Sequence, residues 1–309
     1  MKDQMKVTIR CFAYNHEPYI RKCLEGLVMQ KTNFKYEAIV HDDASTDETA
    51  AIIREFAEKH PEIIKPIIQT ENQYSKQDGS IERIMETHTH GKYVAICEGD
   101  DYWTDPLKLQ KQIDFLEHNP EYGMCYTKAR HFFQNDMRFR SKERGGPNVT
   151  YTELLEKNTI PTLTVVYDRE LYKNYYEEIQ PYNKGWAMGD YPTWLWFAQN
   201  SKIKFIPEVT GVYRILTNSA AHSPVFEKNV AFIDSTFDIK RFFLSKYPQE
   251  GITLEDIEQQ RIQRLFSLAF NHKEEDALKE YYRNLKKKNF SIFIKYWIRR
   301  HLWNFNKKK

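Results

Sequence analysis

The sequence predicts an α/β fold, a mainly parallel sheet flanked by helices and followed by a helical C-terminal extension. Three observations predict it. Across residues 1–127 short β-branched runs alternate with amphipathic stretches, the pattern of right-handed βαβ units. Acidic loops fall where those strands should end, which is where open α/β sheets bind ligands. After Val225 the strand-like runs cease and the pattern is helical.

The elements follow in order. Strands are expected at Val7 to Phe12, Tyr36 to His41, Ile64 to Gln69, Lys92 to Cys97 and Gly123 to Thr127, each an apolar run. Tyr19 to Met29 puts Ile20, Leu24, Leu27 and Val28 on one helical face, and Thr49 to His60 does the same with Ile52, Ile53 and Phe56. Ser45 and Glu48 fit a capping box opening that second helix. Pro106 to Asn119 is a third helix, with proline in its first turn. The polar segment 138–148, containing Gly145-Gly146-Pro147, is expected to be a mobile connection able to close over a ligand. The organisation expected is one domain over 1–224, in two parts at 1–127 and 150–224. A helical region with a basic amphipathic tail then occupies 225–309.

Composition narrows the function. A chain of 309 residues with 41% hydrophobic content can bury a sizeable core, and its 15% aromatic content favours clefts and contact surfaces. The net charge of +3 is too small to imply a nucleic-acid partner. Cys11, Cys23, Cys97 and Cys125 stand singly, without metal-ligand spacing, so free buried thiols are expected. The start lacks a signal-like apolar core and no run approaches the roughly 18 apolar residues of a membrane span. A cytoplasmic protein is therefore expected.

Two acidic loops carry the chemistry. His41-Asp42-Asp43-Ala44-Ser45-Thr46-Asp47 lies between an apolar strand and a helix, so its carboxylates project into the expected crevice. A turn that merely caps the helix is the alternative. Glu98-Gly99-Asp100-Asp101 ends the strand at Tyr93 to Cys97. Its three carboxylates repel one another and suit a hard divalent cation that keeps positions open for substrate phosphates. Two such loops at successive strand ends of one sheet favour a site.

Both loops, together with Tyr14-Asn15, Leu24 and Gln30, resemble glycosyltransferase family 2, the inverting transferases of GT-A fold, over roughly residues 5 to 220. The resemblance implies that Ala13, Tyr14, Asn15, Asp42 and Asp43 surround the nucleoside, with Asp43 facing the uracil ring. It implies that Asp100 and Asp101 form the DxD element, contacting the ribose and binding Mg²⁺ or Mn²⁺ on the diphosphate of a UDP-sugar. Glu98 stands where the family usually has Asp, and Phe12-Ala13 where it usually has Pro-Thr. Asp101 is the first candidate metal ligand and Asp100 the second.

Trp186-Ala187-Met188-Gly189-Asp190 resembles the family element that supplies the base, which takes the acceptor hydroxyl proton as that oxygen attacks the anomeric carbon. Read without the family, Asp190 is a helix cap. Tyr213-Arg214 resembles a late segment near the diphosphate, where Arg214 would bind phosphate and His222 would join the metal shell. Trp186, Tyr191, Trp194 and Trp196 could stack on sugars, yet the spacing of Trp194 and Phe197 favours core packing.

The tail from Phe290 to Lys309 stripes Phe290, Phe293, Ile294, Trp297, Ile298 and Leu302 beside Lys295, Arg299 and Arg300. This suits an anionic membrane interface or packing on the chain's own domain or a second subunit, with helices after Val225 offering a homodimer surface. The reading is an inverting transfer of one sugar to a glycan or lipid-linked acceptor in surface polysaccharide biosynthesis, at the inner membrane face if the acceptor is lipid-linked. No Gln-x-x-Arg-Trp motif of processive synthases is present. A nucleotidyltransferase is disfavoured, because Cys11 to Pro18 holds no glycine for a phosphate loop. A non-catalytic nucleotide-sugar-binding module is the third reading.

Overall fold

A computed structural model describes residues 4–216, 223–288 and 290–306. The chain divides into two compact units, one of residues 1–185 with 189–215 and one of residues 186–188 with 216–309. The first unit runs β1 (Met5–Ala13), α1 (Glu17–Val28), β2 (Lys35–Asp42), α2 (Thr49–Lys59), β3 (Ile64–Ile68), α3 (Ser80–His88) and β4 (Tyr93–Ile96). It continues with β5 (Tyr102–Trp103), α4 (Lys108–His118), β6 (Tyr122–Phe133), β7 (Arg138–Phe139), α5 (Tyr151–Glu156), β8 (Val166–Asp168), α6 (Arg169–Ile179), α7 (Asp190–Asn200) and β9 (Lys202–Ile215).

The sheet order is β3-β2-β1-β4-β8-β6-β9-β5, with β7 added to β6. Strands β3, β2, β1 and β4 are mutually parallel, as the alternation of runs and helices predicts. The chain steps outward from β1 to β2 and β3, then returns to place β4 on the other side of β1. That reversal opens a crevice at the carboxyl ends of β1 and β4.

Central β1 is buried on both faces because helices cover both sides of a parallel sheet. Val7, Ile9 and Cys11 enter the apolar core, while Thr8 and Arg10 are buried on the opposite face. The Arg10 guanidinium is matched there by Glu82 at 2.5 Å, Glu86 at 2.6 Å and Thr89 at 3.0 Å. A buried cation left without such partners would be strongly destabilising. Helix α1 buries Ile20, Leu24 and Leu27 as its spacing predicts. It needs Gly26, whose added Cβ would stand 2.9 Å from the backbone N of Trp103.

Three expectations are corrected. The Ser45/Glu48 capping box does not form: Glu48 makes no side-chain cap, and Asp47 accepts the Thr49 amide at 3.0 Å instead. Aspartate reaches that donor with one fewer methylene to order, and Ser45 is drawn to Asn15. Segment 138–148 is not a loose connection. Phe139 pairs with Phe132, and Arg144 exchanges backbone hydrogen bonds with Ala129 at 2.8 and 2.9 Å. The Phe139 ring meets Phe132 edge-on at 5.0 Å and lies 4.0 Å under the Arg130 guanidinium, which fastens this polar stretch to the sheet. The strand expected to end at Thr127 runs on to Phe133, because β9 and β7 supply its ladder partners.

The second unit contains α8 (Phe226–Lys246), α9 (Leu254–His272), α10 (Glu275–Asn284) and α11 (Phe290–Asn306). Phe266, Ala269, Leu278, Leu285 and Ile292 form its core. A Thr253/Asp256 capping box starts α9, and Arg241–Glu258 and Arg261–Asp234 ion pairs tie α8 to α9. Trp186 packs edge-on against Phe242 at 5.3 Å. Among the described residues no helix is long and apolar enough to cross a membrane.

Candidate functional site

The carboxyl ends of β1, β2 and β4 are stitched together by backbone. Asp43 N–H donates to Ala13 O at 2.9 Å and Gly99 N–H donates to Phe12 O at 2.8 Å. The turns beyond them are interlocked as well. Asn15, in the left-handed region at φ 53°, donates its N–H to Ser45 Oγ at 2.9 Å and accepts the Thr46 amide at 2.8 Å. A non-glycine residue at positive φ carries strain that this bonding offsets, and asparagine tolerates it best. Ala13 is buried beneath, and Tyr14 is 47% exposed, leaving its ring at the rim.

Asp42 and Asp43 divide the work. Asp43 is buried and accepts the amides of Gln73 at 2.7 Å and Tyr74 at 3.0 Å, one on each oxygen. It therefore holds the 72–76 segment as a wall beside Tyr14's turn. Asp42 accepts the Ser45 amide on Oδ2 at 3.2 Å, while its buried Oδ1 has no partner.

The acidic turn after β4 lies next to these. Asp101 is buried, with Oδ1 accepting the Arg214 amide from β9 at 2.7 Å. Burial first, then the charges of Asp100 and Glu98, push the Asp101 carboxyl well above the usual range. Glu98 is pushed up to about 8 by burial and by Asp100, and its Oε2 has no partner. Gly99 lets the turn approach α1, since an added Cβ would stand 2.8 Å from His16 Nδ1.

Asp190 opens α7, accepting the Tyr191 amide on Oδ1 at 2.7 Å and the Thr162 hydroxyl on Oδ2 at 2.7 Å. Its charge raises Glu98, and the cation of Arg144 opposes that shift, so all three act on one space. Arg144 also lies 5.0 Å over the Tyr213 ring. Arg214 is held between the rings of Tyr102 at 4.9 Å and Tyr19 at 5.2 Å, with Nη1 on Gln134 and a buried Nε without a partner. The structure thus gathers Asp42, Asp43, Asp100, Asp101 and Arg214 with the turn at Ala13, Tyr14 and Asn15 around one crevice. His222 lies outside the described residues.

Sequence reasoning missed several residues here. His41 is buried and His16 half-buried, each with one buried ring nitrogen unpartnered, and desolvation holds both below the ordinary histidine range against the pull of nearby aspartates. Arg144 was hidden in a segment expected to be loose, and Thr162 in a stretch with no distinctive pattern. Five buried polar atoms without partners, on His16, His41, Asp42, Glu98 and Arg214, belong to this crevice. Each costs about 1–3 kcal/mol if left unmet, so the crevice is built for polar ligand groups.

The family model for glycosyl transferase family 2 matches residues 11–188, more than half the chain. The chain belongs to glycosyl transferase family 2. Curated relatives of the family include uncharacterized protein Rv1520 of Mycobacterium tuberculosis, 34% identical over 224 residues, covering 70% of this chain and 61% of that protein. Another is the Escherichia coli UDP-Glc:alpha-D-GlcNAc-diphosphoundecaprenol beta-1,3-glucosyltransferase WfaP, 28% identical, covering 54% of this chain and 62% of that protein. The chain thus spans about three fifths of these relatives' length. Among solved structures, Staphylococcus aureus TarS in complex with UDP superposes with a TM-score of 0.53 at 16% identity, over 98% of this chain and 92% of that one. The Pyrobaculum calidifontis mannosyltransferase PcManGT, in complex with GDP-Man and Mn²⁺, gives 0.56 at 18%, over 91% and 74%. These likenesses establish the GT-A fold.

In the family frame, the donor set of the crevice fits a divalent cation. Among the described residues no three side chains form a ready-made cage. Mg²⁺ and its like are held by one or two carboxylates with substrate phosphates filling the rest. Asp101 through its second oxygen, together with Asp100, would supply such ligands.

Proposed function

We propose that the chain is an inverting glycosyltransferase that moves one sugar from a UDP-sugar to a glycan or lipid-linked acceptor in surface polysaccharide biosynthesis. The observation that carries this reading is that Asp190, held by the Thr162 hydroxyl and the Tyr191 amide, stands near enough to the acidic turn for its charge to help raise the Glu98 carboxyl. An inverting displacement needs one carboxylate as base, separate from the acids that hold the metal.

Tyr14 and the turn at Asn15 flank the nucleoside, and Asp43 closes the pocket beside the uracil ring. Asp101 and Asp100 would hold Mg²⁺ or Mn²⁺, which offsets the charge that grows on the departing UDP. Asp190 takes the proton from the acceptor hydroxyl as that oxygen bonds to the anomeric carbon and the bond to the phosphate oxygen breaks. Thr162 and the Tyr191 amide fix the orientation of Asp190 while leaving it lone pairs for that proton. Arg144, over Tyr213, adds positive potential where anionic groups meet the acids. WfaP's own name describes a diphosphoundecaprenol acceptor, and a lipid-linked acceptor would place the chain at the inner membrane face in the cytoplasm.

The test is a titration with UDP, GDP and ADP, with and without Mn²⁺, followed by release of UDP from UDP-sugars. Metal-dependent preference for UDP with sugar release supports the reading. Absence of metal-dependent nucleotide binding sinks it.

A further inference from the structure

The C-terminal segment carries the basic excess of the sequence. From Tyr281 to Lys309 the sequence holds ten Lys or Arg and neither Asp nor Glu. That excess is larger than the +3 of the whole chain, so everything before it is acidic on balance.

Helix α11 sits in this segment with two apolar faces. One is used within its own unit: Ile292 is 6% exposed in the core with Phe266 and Leu278, and Tyr296 stacks on Tyr282 at 3.9 Å with rings 3° apart. The other points outward. Phe290, Phe293, Ile294 and Trp297, at positions i, i+3, i+4 and i+7, are 76%, 49%, 36% and 51% exposed. Scattered exposed apolar residues are ordinary, but a contiguous aromatic stripe on an anchored helix marks a contact surface. The packed face fixes the direction in which the stripe looks.

Charge selects the occupant. A second copy meeting this face through α11 would bring two segments of ten cations together, and an uncharged apolar partner would offer them no anion. An anionic bilayer surface satisfies both features, since apolar side chains enter the headgroup boundary while Lys and Arg meet lipid phosphates. Tryptophan is at home at that depth. We propose that α11 docks on an anionic phospholipid surface through Phe290, Phe293, Ile294 and Trp297, with the Lys and Arg of the 283–309 sequence supplying the positive charge. This stands independently of the donor-site reading.

The test is sedimentation of the full chain with vesicles of phosphatidylcholine alone and of phosphatidylcholine mixed with phosphatidylglycerol, with tryptophan emission as a second readout. Pelleting and a blue shift are expected only with phosphatidylglycerol. The K287Q/R299Q/R300Q variant should bind about a hundredfold more weakly, and F290S/F293S should lose most binding with its charge intact. Circular dichroism and thermal melts confirm that both variants are folded. No pelleting with either vesicle overturns the proposal, as does equal pelleting with both. Parent-like binding by folded F290S/F293S overturns it too, as does a dimer that this variant disperses while vesicles are ignored.

Discussion

The backbone N–H of Arg214 donates to Oδ1 of Asp101 at 2.7 Å across a sequence separation of 113 residues. The acidic turn after β4 and the end of β9 are therefore one piece, and the second oxygen of Asp101 is left for other work. This separates two roles in one side chain. The Asp101→Asn variant keeps an acceptor for Arg214 but loses the charge, so thermal stability should hold while metal-dependent UDP affinity falls about ten- to a hundredfold. Asp101→Ala should lose both. Calorimetric titration beside a thermal melt separates the outcomes, and unchanged UDP binding in a folded Asp101→Asn protein would remove Asp101 from the metal site.

Asp190→Asn preserves an acceptor for either Thr162 or Tyr191 and removes the base. Turnover should fall about a hundred- to ten-thousandfold with UDP affinity unmoved. Steady-state kinetics with a UDP-sugar measures the first and titration the second. A variant with parent-like turnover would return Asp190 to a helix-capping role.

Asp43 accepts one amide on each oxygen, from Gln73 and Tyr74. An Asn side chain can accept on only one atom, so Asp43→Asn leaves a part-buried donor unmet at a cost of about 1–3 kcal/mol. Hydrogen exchange at Gln73 and Tyr74 should accelerate, and UDP should bind more weakly because the wall beside the nucleoside loosens. Unchanged exchange at both amides would contradict this placement.

Lys108 is fully buried in α4, with Nζ on Gln112 at 2.7 Å and 4.1 Å over the Trp103 ring, and desolvation drops it to about 7. Between that value and its ordinary 10.5 the unfolded chain binds the extra proton, so this group makes stability rise with pH across the interval. Glu98, raised from 4.5 to about 8, acts in the opposite sense below pH 8. Comparing Lys108→Met with the parent cancels the Glu98 contribution. The variant's advantage in Tm should be largest at pH 7 and shrink toward pH 10. A difference that does not change with pH would mean Lys108 stays charged when folded.

The parallel half of the sheet was legible because β1, β2 and β4 are buried runs flanked by helices whose apolar spacing points at them. The candidate crevice could be placed for the same reason, since its acids follow directly on the ends of β2 and β4. Strands β5, β7 and β8, of two or three residues, were not legible. Their ladder partners lie far away in sequence, and so short a run has no period to detect. Segment 138–148 misled because glycine and charge signal looseness locally, whereas Phe139 and Arg144 are fixed by β6.

By itself the sequence determined the α/β class, the order of the first elements and the family, and it marked the acids at Asp42, Asp43, Asp100, Asp101 and Asp190 as candidates. These depend on local pattern, since a run of side chains chooses its own helix or strand and its own end. Tertiary structure alone decided that Asp43 spends both oxygens on Gln73 and Tyr74, that Asp101 is clamped by Arg214, and that His16 and Arg144 share the crevice. Hydrogen bonding, desolvation and charge coupling act through space between residues remote in the chain, and no spacing along the sequence encodes them.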